Sequence, residues 1–301
     1  MKTLGIVMTV VMLAAPAFAA EIMYGVNTGR YGQADLTGYG SSTISGTLTW
    51  PKWVAPLAAP ETFGGKTYEA IALDNSGYMY KLDFETGSAV GYWASNNWDS
   101  IYPLQGDSGY NYVALSAGRV AKVNIPVGYG GGYDATWQIS LTWSGIQSIS
   151  PLYGVAGYNA AFVSGGYIAK LDTNTMTGAG VGGGGAGWTQ ISPLPGDSGW
   201  QLVGLNAGRI GKIDAVGYGN NSIAGTWSNL IWAASSAGDP ARNAMFLDSA
   251  GNVVEVSTLS WTGGGVGGAG GNWSMMLPTP EPATVSLLVL GACLLAKRNR
   301  K

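Results

Sequence analysis

The chain reads Gly118-Arg119-Val120-Ala121-Lys122-Val123-Asn124 at one of six places where a short apolar run is followed by a glycine turn and a second run. Glycine supplies the positive φ that a tight hairpin needs, so each phrase predicts two antiparallel strands. The second runs share a polar middle residue, at Gln33, Lys81, Lys122, Lys170, Lys212 and Glu255. The phrase therefore repeats with a spacing that alternates between 48 residues and 41 to 43 residues.

The alternating spacing makes the true unit a pair of phrases. Odd-numbered copies place an arginine after the turn glycine and continue with Gly-Tyr-Gly, whereas even-numbered copies do neither. Odd copies end near Trp53, Trp143 and Trp232, and even copies end at Trp98, Trp188 and Trp273. The chain between its two end segments is thus three tandem units of about 90 residues, each made of two sub-repeats of about 45 residues.

A period near 45 residues with several short strands per repeat is typical of β-propeller blades. We therefore predict an all-β fold, a six-bladed β-propeller built from three tandem double repeats. The tryptophan strands should fill the wedges between blades. The strand at Trp273 should pair with the hairpin at residues 22–35 and close the ring, which hides both sheet edges. A β-solenoid or a pair of β-sandwiches is the alternative.

Two short stretches are similar to known propeller repeats. Trp188-Thr189-Gln190-Ile191 resembles a tectonin repeat, and Tyr80-Lys81-Leu82-Asp83-Phe84-Glu85-Thr86-Gly87 resembles a quinoprotein-type repeat. Both resemblances imply a propeller, and neither implies a particular ligand.

The first 20 residues have the order of a secretory signal peptide. Lys2 supplies the positive start, residues 4–13 are mostly apolar, and Ala17-Phe18-Ala19 is an Ala-x-Ala site. We expect an N-terminal signal helix over residues 1–20, recognised by the Sec machinery and cleaved by signal peptidase between Ala19 and Ala20.

The last 24 residues combine a Pro-Glu-Pro box at Pro280, Glu281 and Pro282, an apolar run at residues 285–296, and a basic end. This order resembles the PEP-CTERM sorting signal. The resemblance implies an exosortase-like transpeptidase as partner, processing near the box, and a Gram-negative-type bacterium as source. The run is short for a permanent span of about 20 apolar residues. We expect a short hydrophobic helix within residues 278–301 that anchors transiently in the inner membrane, or stays as the anchor. The folded domain should then be residues 21–277, destined for the cell surface, outer envelope or extracellular matrix.

Composition excludes several kinds of site in that domain. Five of the fifteen basic residues and one of the seventeen acidic residues lie in the end segments, which leaves a formal charge of −6. This charge gives no electrostatic reason to bind nucleic acid. Histidine is absent and the only cysteine, Cys293, lies in the tail. No Ser-His-Asp or thiol chemistry is available, and we predict no catalytic residue, no cofactor and no metal site.

Repeated charged and aromatic residues have a structural and a functional interpretation. Aspartates at repeated turn positions should bond their own backbone, and the repeated lysines should form a solvated rim. The functional interpretation concerns three equivalent Arg-Tyr sites on one face that bind sugar or an acidic glycan through stacking and charge-assisted hydrogen bonds. These speculative sites consist of Arg30, Arg119 and Arg209 with Tyr39, Tyr129 and Tyr218.

The sequence leaves three hypotheses for function. The first is a non-enzymatic, exported propeller with a binding or structural role in extracellular polysaccharide or biofilm, since PEP-CTERM proteins are associated with such material. The second is an extracellular polysaccharide-cleaving enzyme on the same fold, using paired carboxylates. The third is a purely structural surface component.

Overall fold

The structure is a computed structural model, and it describes residues 22–37, 40–49, 51–92, 97–126, 136–140, 142–182, 185–195, 197–216, 219–236 and 241–279. The expected signal helix and its cleavage site at Ala19 and Ala20 lie outside these residues. So do the short C-terminal helix and the box at Pro280, Glu281 and Pro282. In the part of the chain that is described, no helix is long and apolar enough to span a membrane.

The chain forms six four-stranded antiparallel sheets, as the repeat predicted. The first blade contains β24 (Trp273–Pro278), β1 (Ile22–Asn27), β2 (Arg30–Asp35) and β3 (Ser41–Thr49). The second contains β4 (Pro51–Phe63), β5 (Lys66–Asp74), β6 (Met79–Asp83) and β7 (Ser88–Tyr92), and the third contains β8 (Trp98–Pro103), β9 (Tyr112–Ser116), β10 (Arg119–Asn124) and β11 (Thr136–Ile139).

The fourth blade contains β12 (Ile146–Pro151), β13 (Ala160–Ser164), β14 (Tyr167–Asp172) and β15 (Thr177–Gly180). The fifth contains β16 (Trp188–Pro193), β17 (Leu202–Asn206), β18 (Arg209–Asp214) and β19 (Asn220–Ile223). The sixth contains β20 (Trp232–Ser235), β21 (Ala244–Leu247), β22 (Val253–Ser257) and β23 (Thr262–Gly265), followed by a short 3₁₀ helix at Gly267–Ala269.

The first strand of each blade in the order just given is its inner strand. Inner strands of successive blades contact one another around the circle, from β24 to β4, β8, β12, β16, β20 and back to β24. Each of the six repeated phrases forms the second and third strands of one blade. The six-bladed β-propeller predicted from the sequence is therefore confirmed.

The ring closes by pairing the last strand of the folded body with the first. In the β24–β1 pair, Met23 faces Pro278 and Tyr24 faces Leu277. The backbone N–H of Thr279 then donates to Ile22 O at 3.0 Å. The expected closure is confirmed, and the folded body extends to Thr279, two residues beyond the boundary predicted at residue 277.

The tryptophans fall into three classes rather than the two that their spacing suggested. Trp98, Trp188 and Trp273 begin inner strands and are fully buried, as expected for wedge residues. Trp53 and Trp232 belong to inner strands too, and their rings meet edge to face with centroids 5.3 Å apart. Trp143 precedes β12, is half-buried, and lies against the Phe162 ring at 4.9 Å. Trp143, from the second odd copy, is therefore not equivalent to Trp53 and Trp232.

Four blades, the third to the sixth, are hydrogen-bonded to the next blade at one face of the ring, which we call the turn face. Here the inner strands begin, beside the hairpin turns between second and third strands. A turn glycine carbonyl accepts a hydrogen bond from the backbone N–H of the next blade. These bonds are Gly118 O from Ile146 N (3.0 Å), Gly166 O from Trp188 N (3.1 Å), Gly208 O from Leu230 N (3.0 Å) and Gly251 O from Trp273 N (3.2 Å).

We call the opposite face the termini face, because Ile22 and Thr279 meet there. The repeated lysines are directed toward it, and the expectation of a solvated rim is wrong: Lys81, Lys122, Lys170 and Lys212 are all buried. Lys81 and Lys122 donate to backbone carbonyls of the following blade, Pro126 O at 2.7 Å and Thr173 O at 2.9 Å. Burying an ammonium group costs free energy unless the group is hydrogen-bonded or paired with a charge. In this protein the compensating hydrogen bonds join neighbouring blades.

Carboxylates and aromatic rings complete the compensation. Lys212 Nζ lies 3.0 Å from Asp197 and 4.7 Å from the centre of the Trp200 ring. Asp197 in turn accepts a hydrogen bond from Thr258 of the next blade. Asp107, Lys122 and Thr173 repeat this arrangement one double repeat earlier. The polar residues of the repeat therefore stabilise blade-to-blade contacts.

Candidate functional site

The turn face carries a central depression at the propeller axis, with a volume of about 350 Å³. In three blades, the second residue of the inner strand lies at the mouth of the depression. These residues are Asp99, Gln147 and Thr189, and all three are exposed. Asp99 lies 3.6 Å from Lys52, which comes from the neighbouring blade. The mouth thus combines a carboxylate, an amide and a hydroxyl within one opening, and the Lys52 ammonium lies beside the carboxylate.

The floor of the depression is rigid. Trp53 Nε1 donates to Ile101 O at 2.8 Å and Trp232 Nε1 donates to Met276 O at 2.7 Å, so both indoles are fixed to the following inner strand. Gln190 donates to Ala233 O at 2.8 Å and accepts from Ala233 N at 3.2 Å. A floor held by such bonds offers aromatic edges and polar atoms without rearrangement.

Three positive side chains of the predicted glycan sites lie on this same face. Arg30, Arg119 and Arg209 begin the third strands of alternate blades, directly after turn glycines. Arg30 and Arg209 are exposed and Arg119 is half-buried. Among the described residues, no carboxylate lies within ion-pairing distance of these three guanidinium groups.

The tyrosines predicted to join them, Tyr39, Tyr129 and Tyr218, lie outside the described residues. Their described neighbours in sequence follow the far ends of the same third strands, toward the termini face. Asp35 ends β2, Asn124 ends β10 and Asp214 ends β18. The structure therefore gathers the three arginines on the turn face, and their predicted pairing with these tyrosines stays a prediction.

Two other tyrosines do share the arginines' position. Tyr78 and Tyr167 follow the turn glycines of the second and fourth blades, and their exposed fractions are 40% and 62%. Sequence reasoning missed them because it compared odd copies only with odd copies. The signal was present, since both residues occupy the position after glycine in the same phrase.

The glycine at each turn is required by geometry. Gly118, Gly166 and Gly208 have φ values of 69°, 81° and 73°, which L residues rarely adopt. A Cβ on Gly251 would also lie closer than 3.0 Å to backbone atoms of Trp273. The residue after each turn glycine is not subject to these constraints, so the fold dictates the glycine while the next position can vary with the ligand.

The repeated turn aspartates are structural, as predicted. Asp172 accepts from Asn174 N at 2.9 Å and from Thr175 Oγ1 at 2.8 Å. Burial favours a higher pKa for Asp172 and for Asp83, but hydrogen bonds from neighbouring residues outweigh it and lower the pKa of both. The side-chain and backbone hydrogen bonds of Asn252 lower the pKa of Asp248. All three are held as carboxylates by their own turns.

No arrangement of at least three His, Cys, Asp or Glu side chains suited to a metal ion occurs in the described ranges. The described residues that line the axial depression include one carboxylate, Asp99. Glu69 has a pKa raised by burial, although a hydrogen bond from Phe84 N lowers it. Glu69 belongs to β5 and lies outside the depression.

No protein-family model matches the chain, and no curated protein matches it. Solved structures do match. A chain in the crystal structure of a nidogen/laminin complex superposes with a TM-score of 0.62 at 8% identity, covering 87% of this chain and 99% of that chain. The β-propeller domain of Myceliophteria thermophila Cps50 (Swd1) superposes with a TM-score of 0.50 at 10% identity, covering 87% of each chain. The shared feature is the propeller fold. At such low identity these matches carry no information about ligands.

Proposed function

We propose that this protein is an exported, non-enzymatic binding propeller, sorted through the exosortase pathway, that presents its turn face to extracellular polysaccharide. The observation that carries the binding role is the open axial depression, whose mouth and floor combine hydroxyl, amide, carboxylate and indole groups. Such groups suit a sugar, which offers many hydroxyls and one apolar ring face. The single carboxylate among its described lining residues favours binding over two-carboxylate hydrolysis.

The place where the chain ends leave the body supports display at a surface. Ile22 and Thr279 are hydrogen-bonded neighbours on the termini face. The signal segment precedes the first of these residues and the sorting tail follows the second. A protein held through that tail therefore turns its termini face toward the attachment point and its turn face outward.

Export and sorting are tested by cell fractionation in a host with an exosortase-type pathway. A chain that stops at Thr279 keeps all of β24 and should be released to the periplasm or medium. Replacement of the box alone, with Pro280→Ala, Glu281→Gln and Pro282→Ala, should block sorting while the apolar run remains. Unchanged surface attachment of the shortened chain would contradict the sorting proposal.

Binding is tested with the exported protein in a polysaccharide pull-down beside a reducing-sugar release assay. We expect retention on at least one extracellular polysaccharide without release of reducing ends. Release of sugar without stable retention would favour the enzyme instead. Concentration-dependent self-assembly in the absence of polysaccharide would favour a purely structural component.

A further inference from the structure

The outer part of the turn face carries a ring of six side chains at one structural position. This position comes directly after the turn glycine, at the first residue of the third strand in four blades and one residue before that strand in the second and sixth blades. Around the ring it is occupied in order by Arg30, Tyr78, Arg119, Tyr167, Arg209 and Asn252. Guanidinium and phenol groups therefore alternate over five successive blades, because the double repeat places one kind in odd copies and the other in even copies.

Charge is distributed unevenly between the two faces. Three of the four described arginines lie on the turn face, although the folded body is acidic overall. The carboxylates on this face are already engaged. Asp74 and Asp248 accept backbone N–H groups of their own turns at 2.8 to 2.9 Å, and Asp99 pairs with Lys52. Asp74 and Asp248 keep their negative charge within these turns. Of the cations that the structure describes on this face, the three arginines are the ones that form no ion pair.

The two groups have complementary recognition chemistry. A guanidinium presents a planar fork of donors that matches a carboxylate in a bidentate way. An exposed tyrosine offers a flat apolar face with a hydroxyl at its tip. An acidic peptide without aromatic residues would use the first group only, whereas a chain of uronic acids would use both, since each of its pyranose rings carries a carboxylate.

We infer that the ligand of the turn face is an acidic, carboxylate-bearing polysaccharide, gripped by Arg30, Arg119 and Arg209 and stacked on Tyr78 and Tyr167 around the axial depression. This inference rests on the proposed function and makes it specific. Three equivalent arginines in alternate blades give three contacts per protein, so a long or branched chain binds more tightly than a short one without any new contact.

The test compares matched arginines on the two faces. Binding of the full exported protein to polygalacturonic acid is measured against binding to dextran, a neutral polymer. Arg209→Gln should weaken binding to polygalacturonic acid about fivefold to tenfold, which corresponds to the loss of one charge-assisted hydrogen-bonded contact. Arg242→Gln removes the same charge from the loop between β20 and β21, where the side chain is 47% exposed, and should leave binding unchanged.

Further variants separate sugar recognition from simple charge attraction. The triple variant Arg30→Gln, Arg119→Gln and Arg209→Gln should abolish the preference for polygalacturonic acid over dextran. Tyr78→Ala with Tyr167→Ala should weaken polygalacturonic acid binding but not any binding to poly-glutamate. Thermal unfolding of every variant checks that the ring is intact.

Each outcome bears on one proposal. Equal binding of dextran and polygalacturonic acid overturns the acidic specificity but leaves the proposed function standing. Equal effects of Arg209→Gln and Arg242→Gln overturn the turn-face site. Poly-glutamate binding that equals polygalacturonic acid binding overturns the assignment to sugar. Failure to bind any polysaccharide overturns the proposed binding role itself.

Discussion

Replacing turn glycines with alanine should separate two costs that the structure assigns to different positions. Gly165, Gly118 and Gly251 all have positive φ, at 57°, 69° and 73°. A Cβ on Gly165 would meet nothing within 4 Å, and one on Gly118 would come no closer than 3.6 Å to any atom. A Cβ on Gly251 would collide with the backbone N and O of Trp273 in the closing strand. The three sites therefore form a graded series.

The expected losses depend on these surroundings. Gly165 occupies the first turn position, where Ala117 and Ala207 already adopt φ values of 46° and 47° in sibling turns. The substitution Gly165→Ala should change the free energy of unfolding by less than about 1 kcal/mol, because the strain is offset by a less flexible unfolded chain. Gly118→Ala should cost about 1–2 kcal/mol for a left-handed alanine.

Gly251→Ala adds a forced displacement of β24 to the same strain. That displacement puts two blade-to-blade hydrogen bonds at risk, Gly251 O with Trp273 N and Ala250 O with Asn272 N, each worth about 1 kcal/mol. The total should be about 3–4 kcal/mol. Urea unfolding followed by tryptophan fluorescence measures all three variants. If Gly251→Ala were as mild as Gly165→Ala, the close approach of turn and closing strand would not be the reason that glycine is required.

Three further predictions concern the ring and its charges. Trp188→Ala should lower the free energy of unfolding by about 3–5 kcal/mol, because the indole is fully buried between two blades. Trp143→Ala should lower it clearly less in the same urea titration, because Trp143 is only half-buried. Equal losses would contradict the assignment of Trp188 to the wedge between blades. Asp197→Ala leaves the buried Lys212 without its carboxylate and should lower the free energy of unfolding by about 3 kcal/mol. Asp214→Ala loses one hydrogen bond, donated by Val216 N, and should lower it by about 1 kcal/mol in the same titration. The pKa of Asp248 is lowered in the folded state, so its stabilising contribution is present at neutral pH and is lost as pH falls below about 4. Asp248→Asn should therefore lower the melting temperature at pH 7. The difference from the unsubstituted protein should shrink as pH falls through the lowered pKa of Asp248, and a difference that stays constant with pH would refute the assignment.

Much of the fold could be predicted from the sequence because the repeated residues are ones that a particular backbone conformation requires. A glycine with positive φ, flanked by β-branched and apolar residues, has few alternatives to a hairpin, and six hairpins repeated every 41 to 48 residues leave few architectures. Ring closure could be predicted from the same pattern, since the chain starts with a hairpin and ends with a tryptophan strand. These features are local and periodic, so a single sequence displays them.

The buried lysines show the kind of contact that local patterns omit. Lys81, Lys122, Lys170 and Lys212 alternate with apolar residues like solvent-facing positions of a half-buried strand, and only the neighbouring blade reveals that they are enclosed. Their partners lie far away in sequence: Lys122 donates to Thr173 O, 51 residues away, and Lys170 donates to Ala215 O, 45 residues away. Long aliphatic stems reach those carbonyls across the wedge, which no periodicity within one strand indicates.

The predicted Arg-Tyr pairing stays a prediction, because Tyr39, Tyr129 and Tyr218 lie outside the described residues. Equal spacing along the chain led the sequence comparison from Arg30, Arg119 and Arg209 to those tyrosines only. Comparison between odd and even copies adds Tyr78 and Tyr167, which are distant in sequence and follow the turn glycine as the arginines do. In a propeller, residues that share a face are those that share a place in the repeat.

This equivalence also explains how a binding surface is compatible with a demanding ring. A positive φ value requires glycine at these turns, and at Gly251 the close approach of Trp273 requires it as well. The residue after the glycine is exposed or half-buried and is under neither constraint. The glycine that the fold requires and the position proposed to contact the ligand are therefore adjacent in sequence. A substitution at the second position should leave the stability of the turn unchanged. The three double repeats each carry an arginine after the turn glycine of the odd copy. The same position in the even copies carries a different kind of side chain. Arginine therefore recurs in all three double repeats, whereas tyrosine occurs in two of them and Asn252 takes its place in the third.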